Sequence, residues 1–223
     1  MKRTKLRERQ LPDYSRGEEI FNMVSHIVGA AFGIVACTGC VIKGFLCGGG
    51  YEVTSAFLYG CSMILLYTMS SIYHGLHEGT AKRVFQIIDH CSIFILIAGT
   101  YTPVALCGLR RLVPWLGWTV WSIVWGVSVL GITLNAIDLK KFEKLSLSLY
   151  ILLGWCIVLT GKTAIEALGM ACMLWMLVGG IAYTVGAIFY AVGEKRRYMH
   201  SVFHLFTVGG SVVHFIAILI YIL

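Results

Sequence analysis

Apolar residues fall into seven long blocks separated by short polar interruptions. The blocks run from about Phe21 to Ile42, Thr54 to Leu76, Phe85 to Cys107, Val113 to Leu134, Leu145 to Gly161, Met170 to Val192, and Met199 to Leu223. Most approach the ~20 residues with which a helix crosses roughly 30 Å of hydrocarbon. In lipid the backbone must satisfy its own hydrogen bonds within each crossing segment, so each block is predicted to be a helix. The fifth is the shortest, and Lys162 and Glu166 crowd its link to the sixth. The pattern predicts an all-α protein, a seven-transmembrane helical bundle over 20–223 behind a polar tail at 1–19. No repeat, low-complexity segment or long linker divides it. The spacing of Gly29 and Gly33 and the pair Gly209-Gly210 suit close helix packing.

Composition agrees. Of 223 residues, 58% are hydrophobic and 13% charged, about half the charged share of a soluble domain. The polar start lacks the short apolar core and small-residue cleavage site of a secretory signal, so none is expected. Cysteines 37, 40, 47, 61, 91, 107, 156 and 172 lie mostly inside apolar blocks. They read as small buried hydrophobes rather than a disulfide framework, the Cys37-x-x-Cys40 pair included.

Lys and Arg orient the bundle. The tail and the links after blocks two, four and six share one side and carry fourteen of the eighteen basic residues, including Lys2, Arg3, Lys82, Arg83, Lys141 and Lys195. The other side has Lys43, Arg110, Arg111 and Lys162. By the positive-inside rule the N-terminus is cytoplasmic and the C-terminus outside, in the plasma (cell inner) membrane. The net charge of +7 is therefore a topological signal with some attraction to anionic lipid headgroups, and calls for no nucleic-acid partner.

This orientation sorts the polar residues within the blocks by depth. His74 ends the second block, with Ser70 one turn earlier on the same face. Asp89 lies about a turn into the third, and His200 and His204 open the seventh at i,i+4 spacing. Three helices thus bring Ser70, His74, Asp89, His200 and His204 to one layer. Three neutral imidazoles suit a tetrahedral Zn²⁺ with a fourth position for water, whose pKa the metal lowers from about 15.7 toward ~7. Asp89 is placed to orient that water and take its proton, and Ser70 to hold the water or a substrate oxygen. A His/Asp proton relay, or a structural hydrogen-bond network without metal, is the competing reading. His90 points about 100° away from Asp89 and reads as a packing or supporting group. His77 is a substitute ligand if its helix runs further than drawn. His214 lies ten residues beyond His204, about 15 Å along the axis, and should bond a neighbouring helix. Glu19, Asn22 and His26 share one face of the first helix and either support the site, line a proton path or pack.

Ser70-xxx-His74, Asp89 and His200-xxx-His204 together resemble the progestin and adipoQ receptor superfamily, and within it the bacterial hemolysin III proteins. Also shared are Glu18-Glu19-Ile20-Phe21-Asn22 leading to Ser25-His26, Asp89-His90-Cys91, Gly99 to Pro103, and Gly209 to Phe215. The resemblance covers nearly the whole chain from about Glu18. It implies seven helices around a zinc held by His74, His200 and His204 near the cytoplasmic face, with Asp89 and Ser70 contacting its water. It further implies kinship with alkaline ceramidases, hence a zinc-dependent lipid amide hydrolase with membrane lipid as substrate, and a role in membrane fluidity and lipid composition. A membrane-state sensor with structural zinc is the non-enzymatic alternative. A pore fits less well, since no continuous polar stripe runs through the blocks.

Overall fold

A computed structural model describes residues 4–193 and 196–223. Lys2, Arg3 and Lys195, counted above for orientation, lie outside them. Among the described residues all regular structure is helical: α1 (Arg16–Cys47), α2 (Gly50–Gly75), α3 (Thr80–Pro103), α4 (Pro114–Trp155), the short α5 (Lys162–Leu168), α6 (Met170–Gly193) and α7 (Met199–Ala217). Six helices there are long and apolar enough to cross a membrane, the third extending to Leu112 and the fourth to Thr160. Their outward faces carry exposed side chains such as Val28, Phe45, Leu152 and Ile188, as lipid-facing surfaces do.

Local chemistry sets the helix ends. Ser15 opens α1 with a capping box: its hydroxyl accepts from Glu18 N, while the Glu18 carboxylate accepts from Ser15 N at 2.9 Å. Pro103 removes a backbone donor from α3, and the chain continues through a wider π-type turn at Val104–Leu109.

The fourth and fifth predicted blocks meet differently from the expectation. In place of a link between Leu134 and Leu145, helix runs to Ile137 and resumes at Leu139, broken only at Asp138 (φ −158°, ψ 95°). The Asp138 side chain caps the second half, accepting from Lys141 N at 3.3 Å, while Arg9 donates to the Ile137 carbonyl of the first half at 3.3 Å. Lys140, Lys141 and Lys144 then sit exposed on the first turns of the second half. Charge marked this stretch as a link, although it suits a solvated helix start equally well. Ser146 donates to Asn135 Oδ1 at 2.6 Å and Asn135 reaches Tyr150 Oη at 3.3 Å. Eleven residues of straight helix would span about 16 Å, so the two halves of α4 double back on each other.

Around the bundle α1 packs on α2, α2 on α3, α3 on α4, α6 on α7, and α7 returns to α1. Tyr59, Tyr67, Met63 and Phe94 fill the interior. Close packing of α4 on α3 rests on Gly131, where an added Cβ would lie 2.1 Å from the fully buried Phe94 ring, whereas one at Gly126 would meet nothing within 4 Å. Gly131→Ala should therefore cost about 1–3 kcal/mol and lower the thermal midpoint in detergent, while Gly126→Ala holds or slightly raises it. Equal midpoints for the two variants would contradict this packing.

Candidate metal centre

Two helix ends converge where the N-terminal segment crosses the bundle. The last turn of α2 delivers His74, with Ser70 a turn deeper; the first two turns of α7 deliver His200 and His204. All three imidazoles are buried, and one ring nitrogen from each lies within 4.8 Å of the others. The Nε2 atoms of His200 and His204 are 3.1 Å apart. A tetrahedral ion with 2.0–2.1 Å bonds to nitrogen has ligand–ligand edges of roughly 3.3 Å, so this pair has nearly the separation of two bound ligands.

The outward nitrogens are engaged. His74 Nδ1 is 2.6 Å from Glu19 Oε2, and His204 Nδ1 is 3.4 Å from Ser25 Oγ. A carboxylate only accepts, so His74 Nδ1 carries the proton and Nε2 keeps its lone pair for the cluster. That Nε2 is buried with no protein partner. Left so, it would cost about 1–3 kcal/mol. A proton shared between His200 and His204 does nothing for it, whereas a cation among the three imidazoles satisfies all of them. The donor set therefore fits a transition metal such as Zn²⁺.

Beside the imidazoles a cavity of ≈ 190 Å³ begins, roughly a dozen times what one water requires. Ser70, Asp89, His200 and His204 line its near end, and the Ser70 hydroxyl faces the Asp89 carboxylate. His74 stands behind this wall. Beyond, the lining is apolar, with Leu66, Ile97, Ile151 and Met176 among its residues, and reaches Tyr101. Twelve residues of α3 separate Asp89 from Tyr101, about 18 Å. Gly154, Val158 and Leu177 both line the cavity and are exposed, so it opens on the flank between the second half of α4 and α6.

The other histidines are separable. His26 stacks on His204 at 3.7 Å and 13°, and Asn22 accepts from Ser201 Oγ at 2.7 Å. The Glu19/Asn22/His26 face thus supports the site. His214 Nε2 lies 3.0 Å from the Met176 carbonyl on α6, as its distance from His204 predicted, and its ring fills the space a side chain at Gly179 would need. The His90 ring lines the cavity while its carbonyl accepts from Tyr150. His77 is exposed beyond the end of α2, outside the cluster.

Two contributors escaped the sequence reading. Tyr14, just before the capping box, stacks on His200 at 4.9 Å and 24° and lies 5.9 Å from His74. Burial, then the Glu19 and Asp89 carboxylates, push its phenol well above its ordinary range, so it stays protonated. The segment before it is pinned by Thr4 N to Asp138 (3.0 Å) and by Arg83 Nε to the Arg9 carbonyl (2.9 Å). An apolar residue just ahead of an N-cap is a hydrophobic-staple signal, the one clue the sequence offered for Tyr14. Lys82, counted only as a topological charge, is buried at 5% exposure and reaches Glu19 Oε1 at 2.7 Å.

A family model described as "Haemolysin-III related" matches residues 14–215. The chain belongs to this family. It is 39% identical over 206 residues to "Hemolysin-3" of Bacillus cereus, covering 92% of each chain. To the "Hemolysin-3 homolog" of Bacillus subtilis (strain 168) it is 35% identical, covering 92% of this chain and 94% of that one. A rice "Heptahelical transmembrane protein ADIPOR2" is 27% identical over 199 residues, 77% of this chain and 84% of its own. This haemolysin-III related chain is thus a multi-pass membrane protein of the hemolysin III branch of the progestin and adipoQ receptor superfamily.

Purified protein is expected to carry about one divalent transition-metal ion per chain, measured by elemental analysis. His204→Ala should lose it and His214→Ala should keep it. Full metal content in His204→Ala would remove the three-imidazole site.

Proposed function

We propose that this chain is a seven-crossing protein of the plasma membrane, with its N-terminus in the cytoplasm, that binds Zn²⁺ through His74, His200 and His204 and hydrolyses an amide bond in a membrane lipid, so contributing to lipid and fluidity homeostasis. The observation that carries it is the juxtaposition of three buried imidazoles, Asp89 and Ser70 at the closed end of an apolar cavity that opens on the lipid-facing flank. The doubled-back halves of α4 favour seven crossings over six, the bias of basic residues favours the orientation, and the rice relative bears the name heptahelical.

Zinc bound there supplies a Lewis acid and lowers the pKa of water at its open position. The chain does the rest. The apolar cavity takes the acyl chain and excludes bulk water. Asp89 accepts the proton of the attacking water and returns it to the leaving amine. Ser70 holds Asp89 in place and offers its hydroxyl to a substrate oxygen. Tyr14 covers His200 from the N-terminal side, so substrate enters along the flank.

A second reading, a membrane-state sensor with a structural zinc, is favoured by one feature: the ligands join α2 to α7, which otherwise meet through side chains such as Tyr67 reaching Ser211 at 2.6 Å. Asp89→Asn separates the two. If the chain is a hydrolase, this variant keeps its metal but loses about 10²–10⁴-fold in turnover of an N-acyl sphingoid lipid in proteoliposomes. No turnover in wild type would favour the staple, whereas unchanged turnover in Asp89→Asn would remove Asp89 as the base.

Topology has its own test. Reporter fusions at Lys140 should show the same side as the N-terminus, and fusions at Leu223 the opposite side. Two termini on one side would exclude seven crossings.

A further inference from the structure

Glu19 makes two short contacts at once. Its Oε2 lies 2.6 Å from His74 Nδ1 and its Oε1 lies 2.7 Å from Lys82 Nζ. The His74 side chain is fully buried, that of Lys82 is 6% exposed and that of Glu19 18%. Lys82 Nζ also donates to the Leu76 carbonyl at 2.9 Å and stands 5.2 Å from the centre of the Tyr73 ring. Each charge has a partner of opposite sign, and the row ends on His74 Nε2, a buried imidazole nitrogen with no protein partner.

Each member sits where its helix favours it. Glu19 is in the first turn of α1, where a carboxylate gains from the N-terminal end of the helix dipole. Leu76 is the residue at which α2 ends, so Lys82 puts its cation on a C-terminal carbonyl. Lys82 itself projects from the first turn of α3. Three helices are therefore tied at the turn that carries His74.

We propose that Glu19, held by Lys82, is the positioning residue that makes His74 a metal ligand. The inference rests on the metal-binding reading above. A carboxylate anchored on its far oxygen cannot swing away, so it fixes both the plane of the His74 ring and the nitrogen that carries the proton. Neutral imidazole in water prefers its proton on Nε2, the nitrogen that faces His200 and His204 here. Without Glu19 that nitrogen would spend most of its time protonated and closed to a metal. His204 and His200 have no charged anchor among the described residues: His204 Nδ1 lies 3.4 Å from the Ser25 hydroxyl and the imidazole also bonds the Asn22 backbone, while His200 is backed by the Tyr14 ring. Of the three ligands, His74 is the one whose availability the protein sets by charge.

The test measures Zn²⁺ affinity of detergent-purified full-length protein by competition with a chromophoric chelator. Glu19→Gln, which keeps the shape and removes the charge, should bind Zn²⁺ 10–100-fold more weakly than wild type. Lys82→Met should weaken binding in the same direction. Glu52→Gln, at a carboxylate of the opposite bundle end that accepts from Arg111 Nη2 at 2.7 Å, should bind as wild type does. ¹⁵N spectra of the metal-free protein provide a readout that a merely structural ion pair would not move: the His74 proton should sit on Nδ1 in wild type and shift toward Nε2 in Glu19→Gln. Wild-type affinity in Glu19→Gln, or an unchanged His74 tautomer in that variant, overturns the assignment while leaving the metal site standing. Absence of Zn²⁺ binding by wild type overturns the metal-binding reading itself and this inference with it.

Discussion

Taking imidazoles out of water sets the terms for one whole end of this bundle. Each buried ring has two nitrogens to satisfy, and an apolar interior makes every unsatisfied one costly. The structure meets the cost asymmetrically. Outward nitrogens of His74 and His204 face Glu19 and Ser25, while inward nitrogens are turned toward one another. A set of lone pairs so directed repels itself unless a cation stands among it. The features that look incidental nearby, such as the buried Lys82 and the Tyr14 ring over His200, belong to the same problem of surrounding that cluster.

Helix ends do most of this work, because they are the one part of a membrane bundle where unpaired backbone groups and water coexist. Four helices begin or end beside the cluster, and each brings charged or polar residues to its terminus: Glu18 and Glu19 on α1, Lys82 on α3, His74 on α2, His200 and His204 on α7. The N-terminal segment adds a cover, tied down at Asp138 and Arg83. Asp138 serves twice, since it caps the second half of α4 and accepts from Thr4. The break in α4 and the cover over the cluster are therefore secured by one carboxylate.

How far the sequence could be read follows from the range of the forces involved. Helical crossings were legible because apolar block length is a one-dimensional property. The i,i+4 pair His200 and His204, and Ser70 with His74, were legible because helical periodicity is local. Their convergence needed only the order of the helices. Asp138 was missed as a cap because its partners Lys141 N and Thr4 N mix a local bond with one 134 residues away. Lys82 was read for its charge alone, and its burial depends on Glu19, 63 residues earlier. Tyr14 lay in a segment whose polarity suggested a free tail, and only tertiary bonds place its ring on His200.

The cavity links the polar end to the lipid-facing flank through one loosely joined seam. Between the second half of α4 and α6, side-chain bonds sit near the two ends: Glu143 with Tyr190 at 2.9 Å, and Trp155 Nε1 with Thr184 Oγ1 at 3.0 Å. Between them the wall carries the short residue Ala187, and Gly154 and Gly180 flank the Trp155–Thr184 bond. Tyr190 also lies 5.8 Å from the His200 ring and 6.1 Å from that of His90. The residue that closes one end of the seam is thus packed against the imidazole cluster. A side chain cannot hold both neighbours and let them part independently, so the spacing of α4 and α6 at the imidazole end and the packing around His200 are set by the same tyrosine.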